Sequence, residues 1–166
     1  MKPTVLLVDD EPMVLNAIQR ALRHEKCRLL KAGDARQGFQ FLQQEEVQML
    51  ISDFQMPGMD GLEFLKRARD AFPHLLTIML TGQADVSTAV NAINQAGVYK
   101  FILKPWDSDE LRITVRRALE SLALIDERDQ LLDKIKARDA VLQKLERHYP
   151  GITRVKRDRQ GYVISG

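Results

Sequence analysis

Short apolar runs alternate with stripes of apolar residues at helical spacing along the first two thirds of the chain. The first run, Thr4 to Val8, is unbroken, which is typical of a strand buried on both faces of a parallel sheet. It stops at Asp9-Asp10-Glu11-Pro12, where Pro12 suits the first turn of a helix. Similar runs predict four further strands, near residues 27–30, 47–51, 75–80 and 98–103.

Helices are predicted between these strands. Apolar side chains recur at helical spacing after the first strand, around Phe39 and Leu42, and again over residues 62–68. A further helix is predicted over about residues 85–95, and Gly97 is a typical glycine at its C-terminal end. Five strands that alternate with helices through short connections predict an α/β fold with a doubly wound, five-stranded parallel sheet.

A single long helix is predicted after the last strand. Asp107-Ser108-Asp109-Glu110 is a typical helix start, with a capping side chain and acidic residues in the first turn. No Gly or Pro follows before Pro150, so about forty residues, roughly 60 Å at 1.5 Å per residue, can form one helix. The residues in its first part that form one packing stripe are Leu111, Val115, Ala118 and Leu122.

The later part of this helix carries a heptad pattern. The residues that recur at alternating spacings of four and three are Leu124, Arg128, Leu131, Ile135, Arg138, Leu142, Leu145 and Tyr149. The expected dimer seam has Leu124, Leu131 and Leu145 at position d and Ile135 and Leu142 at position a, which favours two parallel strands. Arg128 and Arg138 weaken this seam unless their charged ends reach solvent. We expect a homodimer; a helix docked on its own chain or on a following domain is the alternative.

Three segments follow from these patterns: a domain over residues 1–122, a coiled-coil-like helical extension over 123–149, and a short basic tail over 150–166. The tail is typical of a small β-hairpin around a glycine turn. It also carries the excess positive charge of the chain, with four basic residues against one acidic residue after position 153. A solvated hairpin edge accounts for these charges, so nucleic acid is not an expected partner.

Composition excludes several classes of protein. The chain of 166 residues is 45% apolar, too much for a disordered protein, and no run approaches the roughly 18 apolar residues of a membrane span. The first residues leave no room for a signal peptide. The lone Cys27 suits a packed thiol in a reducing compartment, and the three dispersed histidines make a zinc site improbable. We therefore expect a cytoplasmic protein with no membrane partner.

Polar residues interrupt four of the five predicted strands at their C-terminal ends. These residues are Asp9 and Asp10 after the first strand, Asp53 after the third, Thr81 after the fourth and Lys104 after the fifth. The C-terminal ends of parallel strands lie on one edge of the sheet, where open α/β folds bind ligands. The sequence therefore predicts that these residues converge on one pocket.

The chemistry of this set favours phosphoryl transfer to a carboxylate. Three crowded carboxylates repel one another unless one takes up a proton or a cation intervenes. Mg²⁺ is the natural cation for carboxylates and phosphate oxygens, while Lys104 adds a positive charge and Thr81 a hydroxyl donor. The alternative is a cluster of ion pairs that caps the strand ends without chemistry, but three acids against one lysine leave negative charge uncompensated.

The chain also resembles the receiver domains of two-component response regulators. The matching motifs are Val8-Asp9-Asp10-Glu11-Pro12, Ser52-Asp53, Met56-Pro57-Gly58-Met59-Asp60-Gly61, Leu80-Thr81-Gly82 and Lys104-Pro105-Trp106. The resemblance covers residues 4 to about 120 and preserves the order and spacing of the motifs. It implies a flavodoxin-like sheet of the receiver type, and a sensor histidine kinase or phosphotransfer protein as partner.

The resemblance implies a role for each site residue. It makes Asp53 the phosphoacceptor. The implied Mg²⁺ ligands are Asp10 and Asp53 directly, Asp9 through water, and the backbone carbonyl of Gln55. Lys104 is implied to pair with the phosphoryl group, and Thr81 to follow that group on activation. Phe101 matches the aromatic switch position, and the Lys104–Pro105 peptide is expected to be cis.

Three positions qualify the resemblance. Gln55 and Gln83 occupy places that vary in this family and influence how long the phosphoryl group survives. The switch aromatic is Phe101 where Tyr is often found, so its movement depends on packing without a hydroxyl hydrogen bond.

Other functional classes fit the sequence less well. A phosphohydrolase with an aspartate nucleophile needs an acid two residues after Asp53, where Gln55 stands and cannot protonate a leaving group. A nucleotide- or flavin-binding module needs a loop that cradles phosphate, and Asp9-Asp10-Glu11 would repel phosphate instead. We expect a signalling switch that is not an enzyme beyond catalysing its own phosphorylation and dephosphorylation. A phosphorylation-independent dimeric scaffold and an N-terminal fragment of a regulator with a missing effector domain are the alternatives.

Overall fold

A five-stranded parallel sheet forms the centre of the N-terminal part of the chain in the computed structural model, which describes residues 2–59, 61–82, 87, 90–91, 94–95 and 97–152. The strands are β1 (Thr4–Val8), β2 (Arg28–Ala32), β3 (Met49–Asp53), β4 (Leu76–Thr81) and β5 (Lys100–Leu103). Their order across the sheet is β2-β1-β3-β4-β5, and every neighbouring pair is parallel. The predicted doubly wound sheet is confirmed.

The helices with described bounds are α1 (Pro12–Leu22), α2 (Ala35–Gln44), α3 (Gly61–Ala71) and α4 (Ser108–His148). Between β4 and β5 the helical residues that the structure describes are Ser87, Val90, Asn91, Asn94 and Gln95. They fall in the segment where a helix is predicted, and the other residues of that segment lie outside the described part of the chain.

Local signals in the sequence explain where the helices begin. Pro12 opens α1, where its missing N–H costs no hydrogen bond. The side chain of Asp34 caps α2 by accepting a hydrogen bond of 2.7 Å from the backbone N–H of Gln37. In the same way Asp107 accepts hydrogen bonds from the backbone N–H groups of Asp109 and Glu110. The predicted start of the long helix is therefore observed.

The two faces of the sheet carry separate apolar clusters, because side chains alternate along each strand. On one face, residues of β1, β3, β4 and β5 pack against α1 and the first turns of α4, where Leu111, Val115 and Ala118 are buried. On the other face, Leu6, Val8, Leu50 and Met79 pack with residues of α2 and α3. β1 is buried along its whole length, as its unbroken apolar run predicts.

The chain divides into two units, Met1–Leu122 and Ala123–Gly166. α4 is one uninterrupted helix of 41 residues, so the long helix predicted after the sheet is confirmed. In its second part almost every side chain is exposed. The predicted terminal hairpin falls on residues 153–166, outside the described part of the chain. Among the described residues, no helix combines the length and the apolar character needed to cross a bilayer.

Candidate functional site

The candidate site lies where the direction of strand addition changes. From β1 the chain continues to β2 on one side of the sheet and later to β3 on the other side, so β1 and β3 flank the switch point. Asp9 and Asp10 directly follow β1, and Asp53 is the last residue of β3. Side chains at the C-terminal ends of two such strands border the crevice that binds ligands in open α/β sheets.

Three carboxylates meet at this point. One ligand oxygen from each of Asp9, Asp10 and Asp53 lies within 4.8 Å of the others. Asp9 and Asp53 are buried, with 1% and 6% of their surface exposed, whereas Asp10 faces solvent. The sequence predicts that these three residues converge on one pocket, and the structure places their carboxylates together.

Lys104 is the cation that faces this group. Its Nζ lies 3.0 Å from Oδ1 of Asp53 and 3.5 Å from Oδ2 of Asp9. Partial burial opposes the charge of this ammonium, but the hydrogen bonds and charges of Asp53 and Asp9 outweigh burial and raise the pKa of Lys104. Lys104 therefore stays protonated at every physiological pH and supplies one fixed positive charge.

Asp9 is held in place by the start of α1. Its Oδ1 accepts a hydrogen bond of 2.9 Å from the backbone N–H of Glu11, an Asx turn at the end of β1. Burial raises the pKa of Asp9, and the carboxylates of Asp53 and Asp10 add to that rise. The Glu11 N–H and the Lys104 ammonium act in the opposite direction without cancelling it. The charged form of Asp9 is thus disfavoured in this arrangement.

The residues present fit a divalent cation. Three carboxylates face one ammonium, so full ionisation leaves two negative charges uncompensated within a partly buried site. Burial is the main cause of the raised pKa of Asp9, and the neighbouring carboxylates of Asp53 and Asp10 add to it. Mg²⁺ binds carboxylate oxygens, retains several waters and shares phosphate oxygens with its substrate. An exposed ligand such as Asp10 beside two buried ones suits an ion that remains open to solvent on one side.

Thr81 and Phe101 lie on one face of the neighbouring strands β4 and β5. In the register of these strands Phe101 is opposite Met79, two residues before Thr81. Thr81 is fully buried, and its hydroxyl donates a hydrogen bond of 3.3 Å to the carbonyl of Gly82. Phe101 is partly buried against the cluster that includes Met79. The two predicted switch residues therefore share one face of neighbouring strands, and the Thr81 hydroxyl is directed to the backbone of its own loop.

The structure gives a role to Gly61, which the sequence places in a matching motif without a role of its own. A Cβ atom on Gly61 would overlap the backbone carbonyl oxygen of Asp53. The N–H of Gly61 also donates a hydrogen bond of 2.7 Å to the carbonyl of Phe54. Gly61 thus lets the first turn of α3 approach the end of β3 closely. The signal available in the sequence was its place at the end of a loop rich in helix-breaking residues.

Gln55, Gln83, Asp60 and the Lys104–Pro105 peptide are the other predicted features near the site. Gln55 is exposed in the turn that follows β3. Gln83 and Asp60 lie outside the described residues. The Lys104–Pro105 peptide is cis, as the resemblance implies.

Comparison with known families gives one match over most of the chain. The family described as the response regulator receiver domain matches residues 5–116. This span contains β1 from its second residue onward, β2 to β5 and every residue of the candidate site. The match confirms the resemblance found in the sequence.

Curated relatives give the same result. The hydrogenase transcriptional regulatory protein HoxA of Cupriavidus necator is 36% identical over 141 residues, which are 85% of this chain and 29% of that protein. The C4-dicarboxylate transport transcriptional regulatory protein DctD of Pseudomonas aeruginosa is 32% identical over 164 residues, which are 93% of this chain and 35% of that protein. The chain thus spans about a third of the length of these relatives.

Solved structures share the fold. The crystal structure of the signal receiver domain of an HD domain-containing protein from Pseudomonas fluorescens Pf-5 has a TM-score of 0.70 at 36% identity. The similarity covers 74% of this chain and 98% of that domain. The fold of the sheet and its helices therefore has a counterpart among receiver domains.

Proposed function

The chain belongs to the family of response regulator receiver domains, and on that premise we propose that Asp53 accepts a phosphoryl group from a sensor histidine kinase or a phosphotransfer protein. The observation that carries the proposal is the contact of 3.0 Å between Lys104 and Asp53 beside two further carboxylates. This arrangement offers a nucleophilic oxygen, a fixed positive charge and a cation site within one pocket.

The proposed transfer forms one bond and breaks one. An oxygen of Asp53 attacks the phosphorus of a phosphohistidine, the P–N bond breaks, and the imidazole leaves with its electron pair and takes up a proton. Lys104 pairs with a negatively charged oxygen of the phosphoryl group as this group is transferred to Asp53. Asp9, Asp10 and Asp53, with the carbonyl of Gln55, would hold Mg²⁺, which when bound neutralises charge on the phosphoryl oxygens. The protein residues otherwise hold and orient the acceptor carboxylate.

The proposed output passes through Thr81 and Phe101. Phosphorylation adds roughly −1.5 to −2 charges and three acceptor oxygens at Asp53. The hydroxyl of Thr81 would exchange its bond to the Gly82 carbonyl for one of these oxygens, and Phe101 would repack into the space that Thr81 leaves. The change would then reach α4, which follows β5 directly in the chain.

The protein is proposed to act as a switch in the cytoplasm, as expected from the sequence, and not as an enzyme with a separate substrate. Gln55 stands two residues after Asp53 and offers no acid for a leaving group, which argues against a turnover phosphatase. Phosphorylation and loss of the phosphoryl group would both be catalysed by the site itself.

Two further elements of the proposal concern assembly and length. The heptad seam of α4 supports a homodimer, because its apolar residues are exposed in the single chain. The second candidate function is that of an N-terminal part of a longer regulator with an effector domain. The span of about a third of the curated relatives favours this candidate.

The test is the intact mass of the protein after incubation with acetyl phosphate, with and without Mg²⁺. We expect one phosphoryl adduct that requires Mg²⁺ and is lost in Asp53→Asn. Asp70→Asn, which changes an exposed carboxylate on α3, is the matched control and keeps the adduct. No adduct with any small donor, or an adduct that persists in Asp53→Asn, would refute the role of Asp53 and favour a phosphorylation-independent scaffold.

A further inference from the structure

The second part of α4 presents an apolar face that nothing in its own unit covers among the described residues. The large apolar side chains between positions 123 and 149 that are at least 39% exposed are Leu124, Ile125, Leu131, Leu132, Ile135, Val141, Leu142, Leu145 and Tyr149. Five of them are the seam residues expected from the heptad pattern. Ile125 and Leu132 extend the seam at position e and Val141 at position g. The face extends over almost four heptads, a length that suits a coiled coil.

Two arginines interrupt this seam. Arg128 occupies position a and Arg138 position d, and their side chains are 66% and 71% exposed. Among the residues that the structure describes, each pairs with the acid next to it in its own chain, Arg128 with Asp129 at 2.8 Å and Arg138 with Asp139 at 3.7 Å. Their charged ends are therefore free to turn toward a partner helix. The occupant of this face has to accept apolar contacts and two positive charges at fixed positions.

We propose that the occupant is a second copy of this chain, parallel and in register, in which each seam arginine lies beside an acid of the partner. The proposal rests on the homodimer of the proposed function and specifies its geometry. It does not depend on phosphorylation of Asp53.

Knobs-into-holes packing of parallel helices gives each arginine an acidic neighbour. A side chain at a packs against the preceding g residue of the other helix, so Arg128 meets Glu127 of the partner subunit. A side chain at d packs against the following e residue, so Arg138 meets Asp139 of the partner subunit. The two-fold axis doubles both contacts, and four acids then flank four arginines.

A third charge pair agrees with this arrangement. In parallel coiled coils a residue at g pairs with the e residue of the next heptad on the other helix. Lys134 occupies g and Asp139 the following e. Asp139 would thus lie between Arg138 and Lys134 of the partner subunit, and no like charges meet at the flanking positions.

An antiparallel pair fits the same face less well. The antiparallel register that keeps the apolar layers intact sets Leu131 opposite Ile135 and Leu124 opposite Leu142. That register also sets Arg128 directly opposite Arg138 and brings the two copies of Lys134 together. Like charges face one another in either orientation, since the parallel pair sets Arg128 opposite Arg128 of the partner subunit and Arg138 opposite Arg138 of the partner subunit. The antiparallel register supplies no acid of the partner subunit beside these arginines, which is unfavourable, whereas the parallel pair supplies Glu127 of the partner subunit and Asp139 of the partner subunit. Charge complementarity therefore selects the parallel pair.

A disulfide test measures the orientation in the full chain. In a Cys27→Ser background, which removes the only native thiol, Leu145→Cys places a thiol at a d layer. In the parallel pair the two thiols meet, whereas in the antiparallel register described above they lie roughly 36 Å apart, 24 residues at 1.5 Å each. We expect rapid disulfide formation in glutathione buffer for Leu145→Cys. Arg147→Cys, at the outer f position, is the control and stays reduced.

Charge variants test the arginine neighbours. Light scattering or sedimentation gives the dimer Kd, with and without acetyl phosphate and Mg²⁺. Glu127→Gln should raise this Kd by about 2- to 30-fold, because two partner contacts to Arg128 are lost. Asp129 lies on the other side of Arg128, at position b, where it faces solvent. Asp129→Asn should therefore leave the Kd nearly unchanged. Arg138→Leu should lower the Kd and reduce the effect of Asp139→Asn to the part that comes from Lys134 of the partner subunit.

Each failure points to a different element. A protein that remains monomeric under both conditions refutes the dimer, and the face is then left to another occupant. A dimer without the Leu145→Cys disulfide refutes the parallel orientation while the homodimer stands. Equal effects of Glu127→Gln and Asp129→Asn refute the arginine contacts. None of these outcomes changes the mass adduct on Asp53, so the phosphoacceptor role is judged separately.

Discussion

The ammonium of Lys104 lies 3.0 Å from Oδ1 of Asp53, although the strands that carry these two residues are not neighbours. β4 lies between β3 and β5. The carbonyl of its last residue, Thr81, accepts a hydrogen bond of 2.8 Å from the backbone N–H of Lys104. Lys104 thus reaches across the end of β4 to the acceptor carboxylate. A change of charge at Asp53 therefore acts directly on Lys104, whose backbone is hydrogen-bonded to Thr81.

The first prediction concerns this connection. Thr81→Ala should leave the Asp53 adduct intact, because the nucleophile and the carboxylate group are unchanged. The NMR signals of the Phe101 ring should move on phosphorylation in the native chain but not in Thr81→Ala. Thr77→Ala is the control: Thr77 is buried on the same strand, and its hydroxyl has no hydrogen-bond partner within the described part of the chain. Normal Phe101 shifts in Thr81→Ala would show that the hydroxyl does not couple the two sites.

The second prediction concerns pH. The pKa of Asp9 is raised by burial and by the neighbouring carboxylates. Between its ordinary value of about 3.9 and the raised value, the folded chain therefore holds a proton that the unfolded chain has released. The contribution of Asp9 to the free energy of unfolding falls as pH rises through that window and stays low above it. In metal-free buffer Asp9→Asn should therefore gain stability over the native chain with rising pH.

Urea denaturation in EDTA between pH 4 and pH 7 measures this difference. Asp70→Asn, with an exposed carboxylate, should track the native chain across the range. Mg²⁺ should stabilise the native chain and reverse the advantage of Asp9→Asn. A stability difference that does not vary with pH would mean that burial and the neighbouring carboxylates do not raise the pKa of Asp9 in the folded chain.

The site was predictable from the sequence to the extent that it depends on strand ends. Periodicity located the strands, and the end of each strand fixed where Asp9, Asp53 and Lys104 would lie. A parallel sheet then brings these ends to one edge whatever the details of the loops. The close approach of the α3 backbone to the β3 backbone was not predictable from the sequence. The contact between Gly61 and the carbonyl of Asp53 depends on the distance between the first turn of α3 and the end of β3.

Ion pairs between residues far apart in the chain were also not predictable from the sequence. Arg116 of α4 donates two hydrogen bonds, of 2.6 and 3.2 Å, to the carboxylate of Glu25, 91 positions earlier. The side chain of Glu25 is only 6% exposed. No periodicity or motif marks such a pair, because it depends on how α4 crosses the connection after α1.

The third prediction follows from that pair. A double-mutant cycle with Glu25→Gln and Arg116→Gln should give a larger coupling than the cycle with Asp109→Asn and Arg112→Gln. The second pair is also an arginine–carboxylate pair on α4, but its carboxylate is 69% exposed and its partner is one turn away. Desolvation and two-point geometry strengthen the first pair, and solvent weakens the second. Equal couplings, measured by urea denaturation, would mean that Glu25 is effectively solvated.

The fourth prediction concerns Gly61 and compares two glycines. Gly61→Ala should lower the free energy of unfolding by about 1–3 kcal/mol, because its Cβ would overlap the Asp53 carbonyl oxygen and backbone has to move. In Gly33→Ala the nearest atom to the new Cβ is the side-chain Oε1 of Gln37, 3.9 Å away, and the change should stay within about 0.5 kcal/mol.

The two effects of Gly61→Ala separate packing from chemistry. Moving α3 away from the end of β3 also shifts the backbone that carries Asp53, so the rate of adduct formation with acetyl phosphate should fall even where the chain is fully folded. Urea denaturation gives the stability and intact mass gives the rate. If Gly61→Ala lost stability but formed the adduct as fast as Gly33→Ala, the close approach would serve folding alone, and the position of Asp53 would be set by β3 without help from α3.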